Sequence, residues 1–200
     1  MKESKTPFSY ELILKNISRF IDLNLEEQNL YISLLRQRVI RKKDFILKPG
    51  EVVKDEYFIV KGCLKVYSID DKGVEHISMF AIKDWWTGDI ASFLTQQPSS
   101  YFIQALEETE VIKISRKNYD LLFKKIPKFE RFYRILYQKS LANYILRSDQ
   151  NISLSAEDRY FNFVKKYPSL VNRVSQKDIA SYIGVTPEFL SVLRKRISSI

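Results

Sequence analysis

The residue pattern of this chain changes at Ser115, and that change restricts the folds open to it. From Arg41 to Ile114, short apolar or alternating runs such as YFIV, LKVYSI and EVIKI are separated by turn residues. From Ser115 onward the apolar residues follow helical spacing. Strands joined by turns and then followed by helices predict an α+β protein, with a β roll, barrel or sandwich first and a helical part second.

Turn and cap residues divide the first part further. The N-terminal flank predicts one helix over residues 8–20 and a second through Leu35, opened by a capping box of Asn24 and Glu27. Glycine adopts a positive φ without steric cost, so each glycine among the strands is expected at a tight turn or where no Cβ fits. These glycines are Gly50, Gly62, Gly73 and Gly88.

Residues 127–149 run for about six helical turns without a glycine or an internal proline. Their apolar residues form two stripes, and a helix with two apolar stripes must bury both. We predict that one stripe packs on the β domain and the other pairs with a second copy in a symmetric dimer. Packing of both stripes inside one monomer is the alternative. The predicted dimer stripe consists of Phe132, Ile135, Ala142 and Leu146.

Three short helices are expected after a break at 151–153. Ser155 with Asp158 caps a helix that ends at Lys166, before Tyr167-Pro168. Ser175 with Asp178 caps the second. The third begins after Thr186, with a proline at its first position, where no backbone N–H is needed.

The run QKDIASYIGVTPEFLSVLRKR, residues 176–196, has the spacing of a helix-turn-helix. Ala180 is small where the two helices cross, and Gly184 tolerates a positive φ in the turn. The positions that pack the helices together are Ile179, Ile183, Leu190 and Leu193. The residues predicted to contact DNA are Gln176, Lys177, Thr186, Pro187, Glu188, Ser191, Arg194 and Lys195. A capped helical hairpin without a nucleic-acid partner is the alternative.

Charge supports a polyanion partner for the helical part. Residues 1–115 hold 16 Lys/Arg and 17 Asp/Glu, a net charge of −1, whereas residues 116–200 hold 17 and 7, a net charge of +10. A basic segment beside a neutral one favours nucleic acid as partner. No secretory signal or membrane span is recognisable, and with one cysteine no disulfide framework forms inside the chain, so a cytoplasmic location is expected.

Two segments, KDWWTGDIA at 83–91 and IASYIGVTPEFLS at 179–191, together with the order of the parts, resemble the cyclic-AMP receptor protein/FNR (Crp/Fnr) family of transcription regulators. The resemblance extends over nearly the whole chain. It implies a jelly-roll, cyclic-nucleotide-binding-like sensor domain, a long dimerisation helix and a winged helix-turn-helix that reads the major groove of DNA. We place these parts at 1–126, 127–150 and 151–200.

The resemblance also fixes where the sequence departs from the family. An effector pocket is expected at Gly88, Asp89, Ser99 and Ser100. The family's Glu is replaced here by Asp89 and its phosphate-binding Arg by Ser99, and no Lys or Arg occurs between Lys83 and Lys113. A buried phosphodiester would lack its charge-assisted hydrogen bonds. We therefore expect no response to cyclic AMP, and the effector stays unidentified.

The DNA-reading helix departs from the family in the same way. The family's leading base-reading Arg aligns with Pro187 and a second with Val192, while Glu188 stays in place. Since Glu accepts from the cytosine amino group, a different sequence preference is expected.

Other classes of function are weakly supported. Cys63 alone cannot hold an iron–sulfur cluster, and Cys63 and His76, the candidates for haem, are interpreted as ordinary strand residues. Trp85 and Trp86 are interpreted as packing residues. With no P-loop or metal-ligand spacing, no enzyme, cofactor or metal is expected.

The prediction is thus a homodimeric regulator that binds a pseudo-palindromic operator, with RNA polymerase as a further candidate partner. The alternative is a cyclic-nucleotide-binding signalling module whose helical tail binds a protein.

Overall fold

A computed structural model describes residues 8–197 of the chain, with the backbone alone at residue 197. The fold is α+β, as predicted. The helices are α1 (Glu11–Ser18), α2 (Leu25–Leu34), α3 (Ile90–Thr95), α4 (Arg116–Lys125), α5 (Lys128–Ser153), α6 (Ala156–Lys166), α7 (Gln176–Ile183) and α8 (Pro187–Ile197). The strands are β1 (Leu35–Ile40), β2 (Phe45–Leu47), β3 (Asp55–Lys61), β4 (Cys63–Ile69), β5 (Glu75–Ile82), β6 (Trp86–Thr87), β7 (Phe102–Ala105) and β8 (Thr109–Ser115).

The strands form two four-stranded sheets, ordered β1-β8-β3-β6 and β2-β7-β4-β5. In the first sheet β8 pairs antiparallel with both β1 and β3, so that Ile112 lies opposite Gln37 on one side and Phe58 on the other. The predicted roll is therefore confirmed, although its strands begin at Leu35, before Arg41, and a short helix, α3, interrupts them. By their contacts the described residues form two compact units, 8–66 with 80–138 and 67–79 with 139–197.

Gly62 shows why the strand connections need glycine. Its φ is +97°, and a Cβ there would lie 2.5 Å from the Thr109 hydroxyl oxygen and 2.7 Å from the Glu108 carbonyl oxygen. Gly50 and Gly73 also have positive φ, as predicted. Gly88 does not, and the nearest atom to a Cβ there would be 4.0 Å away. The predicted steric need for glycine at position 88 is therefore wrong.

An aromatic cluster joins the helices of the first unit to its sheet. The Trp86 ring lies 5.3 Å from Phe58, 5.7 Å from Phe132 and 5.9 Å from Tyr133, measured between ring centroids. The Trp86 indole N–H also donates to Asn16 Oδ1 on α1 over 3.1 Å. Trp86 is thus a packing residue, as interpreted from the sequence. Phe132 is fully buried here, so its assignment to a dimer stripe is wrong: its burial is satisfied inside the monomer.

The long helix α5 continues further than the sequence indicates. It runs to Ser153, which corrects the predicted break at 151–153. Helical bonding persists to Leu154, whose N–H donates to the Gln150 carbonyl over 3.1 Å, and Arg159 of α6 donates to the carbonyls of Leu154 and Asn151 over 2.9 and 3.5 Å. A residue outside the helix therefore satisfies the carbonyls that its own last turn leaves open.

Helices α6, α7 and α8 surround a separate small core. Phe163 on α6 and Tyr167 each lie 5.5 Å from the Tyr182 ring on α7. The predicted caps are confirmed, since the Ser155 hydroxyl accepts from Asp158 N–H over 3.1 Å and that of Ser175 from Asp178 N–H over 3.0 Å. No strand follows Ser115 in the described residues, so the wing that the resemblance implies is not found there. The segment between α6 and α7 is short and folds as consecutive turns around buried Leu170.

No helix among residues 8–197 has both the length and the apolar character needed to cross a bilayer.

Candidate nucleic-acid interface and effector cavity

The turn between α7 and α8 has the geometry that the sequence predicts. Gly184 has φ +72°, and Val185 N–H donates to the Ala180 carbonyl over 3.0 Å, which closes the end of α7. Ala180 is fully buried where the helices cross. A side chain with a Cβ at position 184 would adopt this φ with strain, so the angle between the helices depends on glycine.

Helix α8 begins where predicted. Its first turn is capped by Thr186, whose hydroxyl accepts from Phe189 N–H over 3.2 Å. Four apolar residues hold α7 and α8 together and are at most 6% exposed: Ile179, Ile183, Leu190 and Leu193. The helix-turn-helix core predicted from the spacing is therefore present.

The opposite side of α8 is open. Pro187, Glu188 and Lys195 are exposed, and Ser191 and Arg194 are half-exposed. Gln176, Lys177 and Thr186 are exposed as well, so none of the predicted DNA-contacting residues is buried in the core. The structure adds two apolar residues that the sequence reasoning missed, Phe189 and Val192, which are 51% and 68% exposed. The exposure of Val192 could have been predicted, because it lies off the 190/193 core stripe, whereas Phe189 is four residues before Leu193 and helical spacing does not separate it from the core.

Helix α7 is anchored to the start of strand β5 inside the second unit. The Ser181 hydroxyl donates to the Glu75 carbonyl over 2.5 Å and accepts from Ile77 N–H over 3.1 Å. Arg147 of α5 donates to the carbonyls of Ile77 and Tyr182, over 2.7 and 3.0 Å. These bonds fix the helix that presents α8.

The predicted effector residues are close together but largely satisfy one another. The Ser99 hydroxyl donates to Asp89 Oδ2 over 2.7 Å and accepts from Tyr101 N–H over 3.0 Å. Asp89 Oδ1 caps α3 by accepting from Ser92 N–H over 3.2 Å. Ser99 is buried, whereas Ser100 is exposed. Asp89 and Ser99 therefore support the fold at this position.

A cavity of about 510 Å³ lies beside them in the first unit, and Gly88 is the one predicted effector residue that lines it. Arg38 of β1 and Lys54 before β3 also line this cavity, together with Glu51 and Asp55. The expectation that no cation reaches the pocket is therefore wrong. The expectation rested on the segment between Lys83 and Lys113, whereas Arg38 of β1 and Lys54 of the loop before β3 reach the cavity through the tertiary fold.

A buried carboxyl lies elsewhere in the same unit. Glu56 of β3 is 5% exposed, and its Oε1 accepts from the Tyr137 hydroxyl of α5 over 2.7 Å. The Tyr137 and Tyr119 hydroxyls are 3.2 Å apart. Burial raises the pKa of Glu56 to about 7, against the opposing effects of the Tyr137 hydrogen bond and the Arg116 charge. Sequence patterning does not reveal this group, because Glu56 follows Lys54 and Asp55 at the start of β3, where charged residues are usually exposed.

The second half of α5 presents apolar side chains to solvent. Of the predicted dimer residues, Ile135 is half-buried, and Ala142 and Leu146 are exposed. Four further large apolar residues of this half are exposed and were not part of the predicted dimer stripe. They follow helical spacing, at i, i+3, i+4 and i+11 from Leu141. This set, the α5 stripe, consists of Leu141, Tyr144, Ile145 and Ile152.

The two candidate haem ligands, Cys63 and His76, have surroundings that are ordinary for strand residues. Cys63 is buried in β4, and His76 of β5 is exposed and pairs with Asp70 over 2.8 Å. No group of three or more His, Cys, Asp or Glu among the described residues is arranged to hold a metal ion.

The comparisons with known proteins agree with this architecture. Residues 37–125 match the cyclic nucleotide-binding domain family. The chain is 30% identical over 183 residues to the fumarate and nitrate reduction regulatory protein of Vibrio cholerae, covering 80% of this chain and 68% of that protein. It is 28% identical over 184 residues to the anaerobic regulatory protein of Haemophilus influenzae, covering 82% and 68%.

Among solved structures, FixK2 from Bradyrhizobium japonicum is similar with a TM-score of 0.73 at 18% identity, over 82% of this chain and 85% of that one. At this identity the likeness concerns the fold.

Proposed function

We propose, from the premise that this chain belongs to the Crp/Fnr family of transcription regulators, that it is a homodimer that binds DNA through α8 and does not respond to cyclic AMP. One observation carries the proposal. Helix α8 is capped at Thr186, held by a buried core on one side and exposed on the other, where Glu188 and Lys195 lie. The chain spans about two thirds of the length of the relatives it matches.

The side chains of α8 divide into two roles. Glu188 can accept from the amino group of cytosine, and exposed Phe189 and Val192 can contact the methyl group of thymine. Lys177 and Lys195 are positioned at the exposed ends of the two helices and supply phosphate contacts. Pro187 cannot replace the Arg of the family's best-known pattern, so the preferred sequence differs from the one that pattern reads.

The α5 stripe supports the dimer. Leu141, Tyr144 and Ile145 are each at least half exposed, and exposed apolar side chains at helical spacing are the usual contact surface between paired helices. A twofold dimer would place two copies of α8 about one DNA turn, roughly 34 Å, apart on a pseudo-palindromic site.

Effector binding is proposed for the cavity beside Gly88. Its lining combines Arg38 and Lys54 with Glu51 and Asp55, so the charges of the lining balance. Lys113, outside the lining, pairs with Asp55 over 2.8 Å and leaves these surroundings with one cation in excess. So small an excess suits a polar or singly charged effector, and it is the Ser99–Asp89 pair, not the lining, that opposes a phosphodiester. The cations are also the observation that favours the second candidate, a nucleotide-sensing signalling module.

The salt dependence of DNA binding tests the proposed function. Fluorescence anisotropy with a labelled duplex of arbitrary sequence should show affinity falling steeply between about 50 and 200 mM salt, as counterions are released. Lys195→Gln should weaken binding and flatten the slope, whereas Lys42→Gln, an exposed lysine of the first unit, should leave both unchanged. Absence of binding at low salt would leave the helical tail as a protein-binding element.

A further inference from the structure

A cavity of about 290 Å³ lies within the second unit, among the C-terminal half of α5, helix α6 and the end of α7. Four cationic residues line it: Arg147, Arg159, Lys165 and Lys166. Among the described residues that line it, none is acidic. Concave surfaces lined by one sign of charge attract counter-ions strongly, so this cavity is built to attract an anion.

Arg147 is held rigidly with one nitrogen unsatisfied. Its Nη2 donates to the carbonyls of Ile77 and Tyr182, and its guanidinium lies 3.9 Å from the centroid of the Tyr182 ring. Its Nη1 is buried and has no hydrogen-bond partner in the described structure. A buried guanidinium nitrogen without an acceptor costs free energy, and an anion oxygen would supply that acceptor.

Arg159 of α6 is also held by backbone carbonyls. Its Nε donates to the Ile183 carbonyl over 2.8 Å and its Nη1 to the Leu154 carbonyl over 2.9 Å. Carbonyl oxygens position both guanidinium groups without neutralising their charge. Gln150 and Asn162 line the cavity too, and their amide groups offer further donors to an oxoanion.

We propose that this cavity binds a phosphate group carried by a small free molecule. Rigid arginines and amide donors suit phosphate, because they make charge-assisted and bidentate hydrogen bonds with little reorganisation. The volume lies near the lower end of the about 300–1,000 Å³ typical of small-molecule sites. The proposed phosphate site does not depend on the base contacts proposed for α8. An experiment can therefore contradict either proposal without contradicting the other.

Calorimetric titration of the full chain with inorganic phosphate, against sodium chloride of matched ionic strength, tests the site without DNA. Asn162→Asp keeps the side-chain shape and adds one negative charge to the cavity lining, and it should weaken phosphate binding at least about tenfold. Asn172→Asp makes the same charge change at an exposed position of the same unit, outside the cavity, and should bind as the parent does. Thermal melting in chloride verifies that both variants fold.

The outcomes separate the possible sources of phosphate. Absence of binding to the parent, or equal binding to Asn162→Asp and the parent, overturns the site. A repeat titration with saturating duplex DNA decides the source. Unchanged phosphate affinity supports a free ligand, whereas loss of phosphate binding would assign the cavity to the DNA backbone and overturn the free-ligand proposal.

Discussion

The Ser99 hydroxyl donates a hydrogen bond to the Asp89 carboxylate over 2.7 Å. These are the two positions at which the family pattern holds a cyclic nucleotide, through an Arg and a Glu. Here the two side chains satisfy each other, and the second oxygen of Asp89 caps α3. A ligand phosphate would have to break this pair and would then face an uncompensated carboxylate.

Cyclic AMP and cyclic GMP should therefore bind with a Kd above about 1 mM, a free energy weaker than roughly −4 kcal/mol. Calorimetric titration of each nucleotide measures this directly. Micromolar binding would contradict the prediction. Its loss in Arg38→Ala would then identify Arg38 as the phosphate-binding cation.

Glu56 should make the chain less stable as the pH rises. Its folded pKa of about 7 lies above the ordinary value of 4.5, so between these values the folded state binds more protons than the unfolded state. Its contribution is fully present below about pH 4.5 and is lost as the pH rises through 7. The free energy of unfolding measured with urea should be lower at pH 8 than at pH 5 by up to about 3 kcal/mol. Glu56→Gln should remove this difference.

Glu56→Gln keeps the oxygen that accepts from Tyr137, so the hydrogen bond in the cluster is retained. Glu26→Gln, at an exposed position of α2, is the matched control and should keep the pH dependence of the parent. The burial argument fails if Glu56→Gln and Glu26→Gln lose stability equally between the two pH values.

Ile145→Lys should convert the dimer to monomers. It places a charge in the middle of the exposed α5 stripe, where a paired helix would have to desolvate it. Sedimentation velocity at micromolar concentration measures the change. Asn143→Lys introduces the same charge on the opposite side of the helix and should remain dimeric. A monomeric parent protein, or a dimeric Ile145→Lys variant, would argue against pairing through this stripe.

Local rules predicted the helix caps and most of the glycine turns of this fold correctly, with Gly88 as the exception. The capping box of Asn24 and Glu27 forms in both directions, and Gly184 has the positive φ that the turn before α8 requires. These features depend on residues at most a few positions apart, so the sequence pattern contains the whole interaction.

The features that were missed depend on contacts between distant segments. Phe132 was predicted at a dimer interface because helical spacing cannot distinguish a stripe buried by Trp86 from one buried by a second chain. Arg38 reaches the cavity beside Gly88 through strand pairing, and Arg159 of another helix contacts the carbonyls of Asn151 and Leu154 at the end of α5. Tertiary packing determines the contacts of all three residues, and residue spacing along the sequence does not reveal such contacts.

Selection from a randomised duplex library, with sequencing of the bound DNA, tests most directly whether α8 reads DNA. The parent should enrich a pseudo-palindrome with half-sites about one helical turn apart. Glu188→Ala should relax or change the preferred base at one position of each half-site, whereas Lys195→Gln should weaken binding to all sequences about equally. Failure of the parent to enrich any sequence, or an unchanged preference in Glu188→Ala and in Phe189→Ala, would contradict the assignment of α8 as the DNA-reading helix.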